Sequence, residues 1–97
     1  MMLEPGDIEK IRAYFKDKPI FKAYLFGSFS RNEANKNSDI DILVDLDYNQ
    51  HIGLKFIQYH LDLQNLLNRK VDLVTTRGVS ERIKQYIDGD KRLIYER

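Results

Sequence analysis

The 97-residue sequence contains no cysteine, which excludes disulfides and cysteine-based metal sites. No apolar stretch approaches the ~20 residues that a membrane-spanning helix needs, so we expect no membrane association. The N-terminus lacks the basic and apolar regions of a signal peptide, which predicts a cytoplasmic protein. Sixteen basic and 15 acidic residues leave a formal charge of +1, so no excess of positive charge favours direct binding to nucleic acid.

Apolar residues make up 42% of the chain and recur at regular spacing, which favours a folded protein over a disordered one. The length predicts one small domain that spans residues 1–97. The segments read in the order helix, strand, short helix, strand, long helix, strand, helix. This order predicts an α/β (α+β) fold in which helices pack on a small mixed sheet.

Apolar runs and alternation predict strands at 20–26, 39–46 and 71–75. Helical spacing predicts a helix of about ten residues that opens at Pro5 with Asp7 as its cap, and later helices over 54–68 and 80–87. The apolar face of the longest helix is expected to comprise Leu54, Ile57, Leu61, Leu63, Leu66 and Leu67. The segment 93–95 fits either a short edge strand or a helical extension.

Asp39 and Asp41 begin an alternating segment in which every second residue shares one face. Such residues lie roughly 6.6 Å apart at Cα, so their carboxylates can converge on one cation or bridge two. Mg²⁺ suits this pair because it takes few carboxylates and completes its octahedron with water and substrate phosphate. Asp45 shares the face but lies further along, and we expect it to be solvated.

Gly27 and Ser28 close the preceding apolar strand. Glycine lets the backbone approach a ligand closely, and serine is a good N-cap for a short helix predicted over 29–34. A helix N-terminus attracts phosphate, and Arg31 could direct a permanently charged fork toward the same anion. These features predict a triphosphate-binding site that faces the two carboxylates.

Each half of this pattern has an ordinary explanation when it stands alone. An Asp-x-Asp pair on a strand is usually a solvated face, and Gly-Ser is usually a turn. An EF-hand does not account for the aspartates, because the sixth position of a loop starting at Asp39 is Val44 and the segment is apolar. The joint pattern is far more specific than either half.

Gly27-Ser28, ten residues and Asp39-Ile40-Asp41 resemble the signature of the nucleotidyltransferase superfamily typified by DNA polymerase beta. The residues between these two motifs also resemble those of the minimal nucleotidyltransferases of prokaryotes; they include Arg31, Glu33, Ala34 and Ser38. The resemblance covers essentially the whole chain. Asn32 stands where that family often has glycine, and a helical turn would tolerate asparagine at this position.

The resemblance implies a third acidic ligand on a neighbouring strand, and Asp72 in Val71-Asp72-Leu73-Val74 matches that place. It implies that Asp39, Asp41 and Asp72 are catalytic and hold two Mg²⁺ ions, and it adds Ser38 to the nucleotide-binding residues. The ordinary explanation of Asp72 is a carboxylate that points to solvent from an edge strand.

Many minimal nucleotidyltransferases are antitoxins encoded beside a HEPN-domain RNase. The resemblance therefore implies transfer of AMP from ATP to a tyrosine of a cognate HEPN toxin, within a hetero-oligomer, as a type VII-like antitoxin. Two alternatives remain open at this point. The first is a non-catalytic module that inhibits its partner by contact. The second is nucleotidyl transfer to a small molecule, which usually needs a further domain to position the acceptor.

Overall fold

Three α-helices, one turn of 3-10 helix and four strands make up residues 3–97, the part of the chain that the computed structural model describes. The elements are, in chain order, α1 (Pro5–Phe15), β1 (Ile20–Phe26), the 3-10 turn (Gly27–Phe29), β2 (Ile40–Leu46), α2 (Lys55–Leu67), β3 (Val71–Thr75), α3 (Glu81–Asp90) and β4 (Arg92–Glu96). The predicted mixed α/β class is confirmed, and the segment 93–95 belongs to a strand.

The four strands form one mixed sheet in the order β3-β2-β1-β4. β1 runs antiparallel to both β2 and β4, whereas β2 and β3 are parallel and joined through α2. The register pairs Phe26 with Asp41 across β1 and β2, and Asp41 with Asp72 across β2 and β3. The connection between β1 and β2 therefore lies at the same end of the sheet as the start of β3.

One face of the sheet carries the main hydrophobic core. Its alternate residues are buried against α1 and α2, and they include Ile20, Ala23, Leu25, Ile40, Ile42, Val44, Leu46, Val71, Leu73 and Ile94. Phe15 of α1 packs its ring at 5.7 Å from Tyr95, and Tyr14 lies edge-on to Tyr59 of α2 at 6.3 Å. The aspartates at alternate positions of β2 consequently lie on the opposite face.

The predicted core face of α2 is largely wrong. Leu63 is fully buried and Leu67 packs against the core, as predicted, but Leu54, Ile57, Leu61 and Leu66 are exposed. The buried stripe instead combines Leu63 with Tyr59, and Phe56 and Leu67 pack beside them. Both stripes have helical spacing, and the sheet selects the one whose aromatic rings meet α1. Asn68 ends the helix in the left-handed conformation at φ 51°, as a C-terminal asparagine favours.

The short helix predicted over 29–34 does not form. The chain makes one 3-10 turn over Gly27–Phe29, and the residue that precedes it is Phe26, so Ser28 lies inside the turn and caps nothing. Asn32 has a φ of 60°, a left-handed conformation in which glycine is favoured and asparagine is among the few tolerated alternatives. The preference for glycine at this position therefore has a backbone cause.

Two smaller expectations need correction. Asp7 lies in the first turn of α1 and is not its cap, because Pro5 takes the first helical position after Glu4. Ser80 caps α3 as predicted, but the helix continues through Gly89 to Asp90. Asp47 lies in the loop directly after β2, where it is buried and accepts a hydrogen bond from Arg97 at 3.1 Å.

β3 is an edge strand, and α2 covers its outer hydrogen-bonding groups. Val71 donates its N–H to the Gln64 side chain at 3.1 Å, and its carbonyl lies 2.6 Å from Nε2 of His60. These two residues of α2 occupy groups that an edge strand would otherwise present to another chain. They also fix the backbone directly before Asp72.

α2, at 13 residues, is the longest helix in residues 3–97, and none of the described helices has the length and hydropathy needed to cross a bilayer.

The two apolar stripes of α2 give a direct test of which one supports the fold. Leu63→Ala removes a fully buried side chain and is expected to lower the free energy of unfolding by about 2–5 kcal/mol. The matched variant Leu61→Ala, on the exposed stripe, is expected to change it by less than about 0.5 kcal/mol. Urea unfolding of both variants measures the difference, and equal losses would contradict the assignment of the buried face.

Candidate functional site

Asp41 and Asp72 are direct neighbours across two parallel strands. They are Cα partners in the β2–β3 register, so their side chains emerge on the same face of the sheet. Asp41 is half-buried, while Asp72 is exposed on the edge strand. Asp72 has the exposure that the ordinary explanation of an edge-strand carboxylate describes, yet the register also places it beside Asp41, and its role as a ligand remains a prediction.

Gly27 sits against Asp41 from the other side. A Cβ atom built on Gly27 would lie 2.2 Å from Oδ2 of Asp41, and the residue has a φ of 73°. Both the missing side chain and the left-handed backbone are therefore required at this position. The close approach in the structure is to the Asp41 carboxylate, and the predicted approach of Gly27 to a ligand remains a prediction.

Asp39 directly precedes β2 and lies two residues from Asp41. The three carboxylates are close along and across strands, but their side chains do not converge. Within residues 3–97, no three acidic, histidine or cysteine side chains are gathered into a cluster that could hold a metal ion. Binding a cation would therefore require these side chains to turn toward one another.

The electrostatics of Asp41 nevertheless fit a cation. Burial, together with the negative charges of Asp72 and Asp39, raises the pKa of Asp41 to about 6. Arg31 opposes the shift and lowers the pKa of Asp41. A divalent cation among these carboxylates would offset the repulsion between them, as the chemistry of oxygen ligands for Mg²⁺ requires.

Ser28 follows Gly27 and faces partly open space. Its side chain is half-exposed and has no hydrogen-bond partner in the described chain, so the hydroxyl is available to a ligand. The Gly27 carbonyl accepts the N–H groups of Ser30 and Arg31, which closes the turn. Because the turn is a single 3-10 turn, a phosphate there would depend on the hydroxyl and local backbone and much less on a helix dipole.

Arg31 lies near Asp41 but is already engaged. Its Nε donates to Glu33 at 3.0 Å, and its Nη1 donates to Asp90 at 2.5 Å. These two contacts leave Nη2 without a partner in residues 3–97. Arg31 can therefore donate from Nη2 to an anion while Glu33 and Asp90 remain bound to Nε and Nη1.

Ser38 contributes to the loop that leads into Asp39. Its hydroxyl accepts the N–H of Asn35 at 3.0 Å, and its own N–H donates to the Asn35 carbonyl at 3.0 Å. Ser38 is thus a turn-forming residue in this structure, and the prediction that it binds nucleotide remains a prediction.

Several other candidates lie apart from the carboxylates. Asp45 accepts a hydrogen bond from Thr76 at 3.3 Å, further along β2. Arg77 stacks on Tyr48 at 3.8 Å, at the end of β3 away from Asp72. A surface groove of about 540 Å³ lies between α1 and β4 and contains none of the three aspartates.

Asp90 is a residue at the site that sequence reasoning missed. Its carboxylate pairs with Arg31, and its backbone carbonyl accepts the hydroxyl of Ser30. Asp90 is 59 residues from Arg31 in the chain, and no local pattern indicates such a contact. The only signal available was an acidic residue near the end of a predicted helix, which has many ordinary explanations.

The arrangement of a Gly-Ser turn beside paired carboxylates agrees with comparisons to known proteins. The polymerase beta nucleotidyltransferase family matches residues 9–97. The chain belongs to this family. A Methanocaldococcus jannaschii protein, provisionally named a protein adenylyltransferase, is 37% identical over 94 residues, which cover 91% of this nucleotidyltransferase and 89% of that protein.

Two further proteins relate this nucleotidyltransferase to MntA and to toxin–antitoxin pairs. The protein adenylyltransferase MntA of Thermococcus cleftensis is 40% identical over 63 residues, which cover 65% of this chain and 63% of that protein. A crystal structure of a toxin–antitoxin with AMP-PNP superposes with a TM-score of 0.79 at 27% identity, covering 93% of this chain and 73% of that chain. These similarities confirm the resemblance drawn from the sequence motif.

Family membership implies a nucleotide substrate and usually a divalent metal. The residues present fit both, since Asp39, Asp41 and Asp72 supply the oxygen ligands such a metal takes. Gly27 and Ser28 supply the close backbone and the free hydroxyl that a phosphate requires.

A first test concerns the contact of Gly27 with Asp41. Gly27→Ala is expected to displace the Asp41 carboxylate and to weaken Mg²⁺-dependent ATP binding by at least about 10-fold, as for the loss of a residue that orients a metal ligand. Gly53→Ala is the matched control, because Gly53 also has a positive φ but nothing lies within 4 Å of its added Cβ. The control is expected to lose about 1 kcal/mol of stability and to keep ATP binding. Calorimetric titration that showed equal binding losses would contradict the contact.

A second test concerns the pH dependence of stability in metal-free buffer. Because the pKa of Asp41 is raised in the folded state, its contribution favours folding below pH 4 and is lost as the pH rises through about 6. The free energy of unfolding of Asp41→Asn is therefore expected to exceed that of wild type by about 1 kcal/mol at pH 7, after allowance for the partial exposure of the carboxylate. Near pH 4 the two proteins are expected to be equally stable.

Asp47→Asn provides a control of opposite sign. The hydrogen bond from Arg97 lowers the pKa of Asp47, so this carboxylate contributes stability above pH 4 that is lost in acid. The Asp47 variant is expected to be less stable than wild type at pH 7. Urea unfolding at several pH values checks both signs, and an Asp41 variant that is less stable at pH 7 would contradict the repulsion among the three aspartates.

Proposed function

We propose that this protein is a Mg²⁺-dependent adenylyltransferase that transfers AMP from ATP to a tyrosine of a cognate HEPN toxin and so neutralises it. The observation that carries the proposal is the contact of Gly27 with Asp41 beside Asp72, which combines a phosphate-binding turn with paired carboxylates. The protein would act as an antitoxin within a hetero-oligomer. The cytoplasm, where ATP and its acceptor meet, is the compartment that this proposal requires.

Asp39, Asp41 and Asp72 would hold the divalent metal, with two Mg²⁺ ions as in the two-metal arrangement of nucleotidyl transfer. When bound, these ions would neutralise the triphosphate and favour ionisation of the attacking hydroxyl. The raised pKa of Asp41 supports this assignment, because burial and the charges of Asp72 and Asp39 both disfavour an ionised Asp41 that has no cation beside it.

The Gly27 backbone and the Ser28 hydroxyl would hold the β- and γ-phosphates. The partner-free Nη2 of Arg31 would reach the same phosphates, while Glu33 and Asp90 keep the guanidinium in place. A planar guanidinium held in this way loses less conformational freedom when it binds an oxyanion. ATP would thereby present its α-phosphorus to the open face of the sheet.

In the transfer step, the tyrosine oxygen of the toxin forms a bond to the α-phosphorus of ATP. The bond from that phosphorus to the bridging oxygen of the β-phosphate breaks, and diphosphate leaves with the electron pair. The tyrosine hydroxyl has an ordinary pKa of about 10, so its proton needs an acceptor at neutral pH. Asp72 is exposed beside Asp41 and would accept or orient that proton.

The open position of the site supports a protein as the acceptor. Asp72 lies exposed on an edge strand and not at the bottom of a cleft, so a side chain carried by a second protein can reach it. Similarity to a toxin–antitoxin crystallised with AMP-PNP, and to MntA, supports a toxin as that protein and ATP as the donor.

The proposal is tested by mixing the protein with its cognate HEPN toxin, ATP and Mg²⁺. Intact-mass spectrometry is expected to show one or more adenylyl increments on the toxin, and peptide mapping is expected to place them on tyrosine. Asp39→Ala and Asp41→Ala are expected to abolish the increments, because each removes a ligand of the metal. Asp45→Ala, which changes a carboxylate on the same face of β2, is expected to retain them.

Two outcomes would contradict the proposal. A wild-type protein that silences the toxin without changing its mass would act by contact alone. If the Asp45 variant keeps its fold and is as inactive as the Asp41 variant, the loss of activity does not depend on a metal-ligand role of Asp39 and Asp41.

A further inference from the structure

Arg69 connects the start of β3 to the loop before Asp39. Asn68 turns the chain in the left-handed conformation, and Arg69 follows it directly. The Nη1 atom of Arg69 lies within hydrogen-bonding distance of three backbone carbonyls, at 3.3 Å from Asn35, 3.1 Å from Lys36 and 2.9 Å from Ser38. The two N–H groups of this nitrogen are shared among the three carbonyls, so one guanidinium nitrogen contacts the loop at residues 35, 36 and 38.

Asp39 is thereby held through both of its peptide units. The carbonyl of Ser38, on one side, accepts from Arg69. The N–H of Ile40, on the other side, donates to the carbonyl of Lys70 at 3.0 Å. Two consecutive residues, 69 and 70, therefore fix the backbone around Asp39, and the same segment continues to Asp72 two residues later. The segment 69–72 sets the relative position of two aspartates that are 33 residues apart in the chain.

The guanidinium of Arg69 also lies over the ring of Phe29, with Cζ 5.2 Å from the ring centroid. Phe29 is buried and belongs to the same 3-10 turn as Gly27 and Ser28. Arg69 therefore touches both the turn assigned to phosphate and the loop that carries Asp39. A planar guanidinium can donate to several carbonyls and stack on a ring at once, whereas an ammonium cannot reproduce this geometry.

We propose that Arg69 is a positioning residue that holds Asp39 in register with Asp41 and Asp72 for the divalent cation. The inference rests on the proposed function, because it assigns Asp39 to that cation. Without the guanidinium, the loop over 35–38 keeps its own turn but loses its attachment to β3. Asp39 then samples positions from which its carboxylate no longer shares a cation with Asp41, so metal affinity falls while metal-free contacts with the nucleotide persist.

The test is a calorimetric titration of ATP at a series of Mg²⁺ concentrations and again in EDTA. Arg69→Lys is expected to raise the Mg²⁺ concentration needed for half-maximal ATP binding by about 10-fold, the usual scale for residues that orient metal ligands. The affinity for ATP in EDTA is expected to stay at the wild-type value. Arg77→Lys is the matched control, since Arg77 also stacks on an aromatic ring but at the far end of β3, and its Mg²⁺ dependence is expected to equal that of wild type.

Amide hydrogen exchange gives a second measurement that involves neither metal nor nucleotide. Faster exchange at Ile40 and over 36–39 is expected in Arg69→Lys, with wild-type exchange in the helices. Arg69→Gln, which keeps a two-hydrogen donor on a shorter stem, replaces the lysine variant if the latter is recovered unfolded, with the same expectations.

The possible outcomes separate this inference from the proposed function. A Mg²⁺ dependence equal to wild type in the Arg69 variant, or equal losses with and without Mg²⁺, would overturn the positioning role while leaving the proposed function in place. Unchanged exchange around Ile40 would overturn it as well. Wild-type protein that binds ATP without any effect of Mg²⁺ would overturn the proposed function, and with it the role of Arg69.

Discussion

Antiparallel pairing of β1 with β2 brings the backbone of Gly27 against the carboxylate of Asp41, at a distance that leaves no room for a side chain. The parallel pairing of β2 with β3 then brings Asp72 to the other side of the same carboxylate. The turn that we propose binds phosphate and the acidic side of the candidate site therefore meet at Asp41, in the central part of the sheet. The packing of α1 and α2 on the far face keeps these strands in register. On the near face Leu43 and Ile87 of α3 are buried, while Asp72 stays exposed.

The sequence carried enough information to predict the three strands on or beside which the candidate site residues lie. The alternation in residues 39–46 predicts which side chains share a face, and the structure agrees because that pattern follows from strand geometry alone. Asn68 and Ser80 end and begin helices as predicted, since capping is a local property of backbone and side chain. Predictions of this kind depend on residues within one or two turns of each other.

The errors arise where distant segments decide between two local possibilities. α2 has two apolar stripes of helical spacing, and packing on the sheet and on Tyr14 of α1 buries the one that contains Tyr59 and Leu63. Local sequence likewise gives no sign that Asp47 is buried, since its hydrogen bond comes from Arg97 at the other end of the chain. The pairing of Arg31 with Asp90 has the same character, because a charged side chain gives no sign in the sequence of which opposite charge it meets.

The repulsion around Asp41 has a consequence for the history of such proteins. Burial and the neighbouring charges of Asp72 and Asp39 raise the pKa of Asp41, so above that pKa an ionised Asp41 lowers the stability of the folded chain when no cation is bound. A lineage that no longer needs nucleotidyl transfer is therefore expected to gain stability from a single amide at position 41. Antitoxins that act by contact alone can therefore descend from the enzyme by small steps. Such descendants would be recognised by an intact Gly27-Ser28 turn beside an altered pair of aspartates.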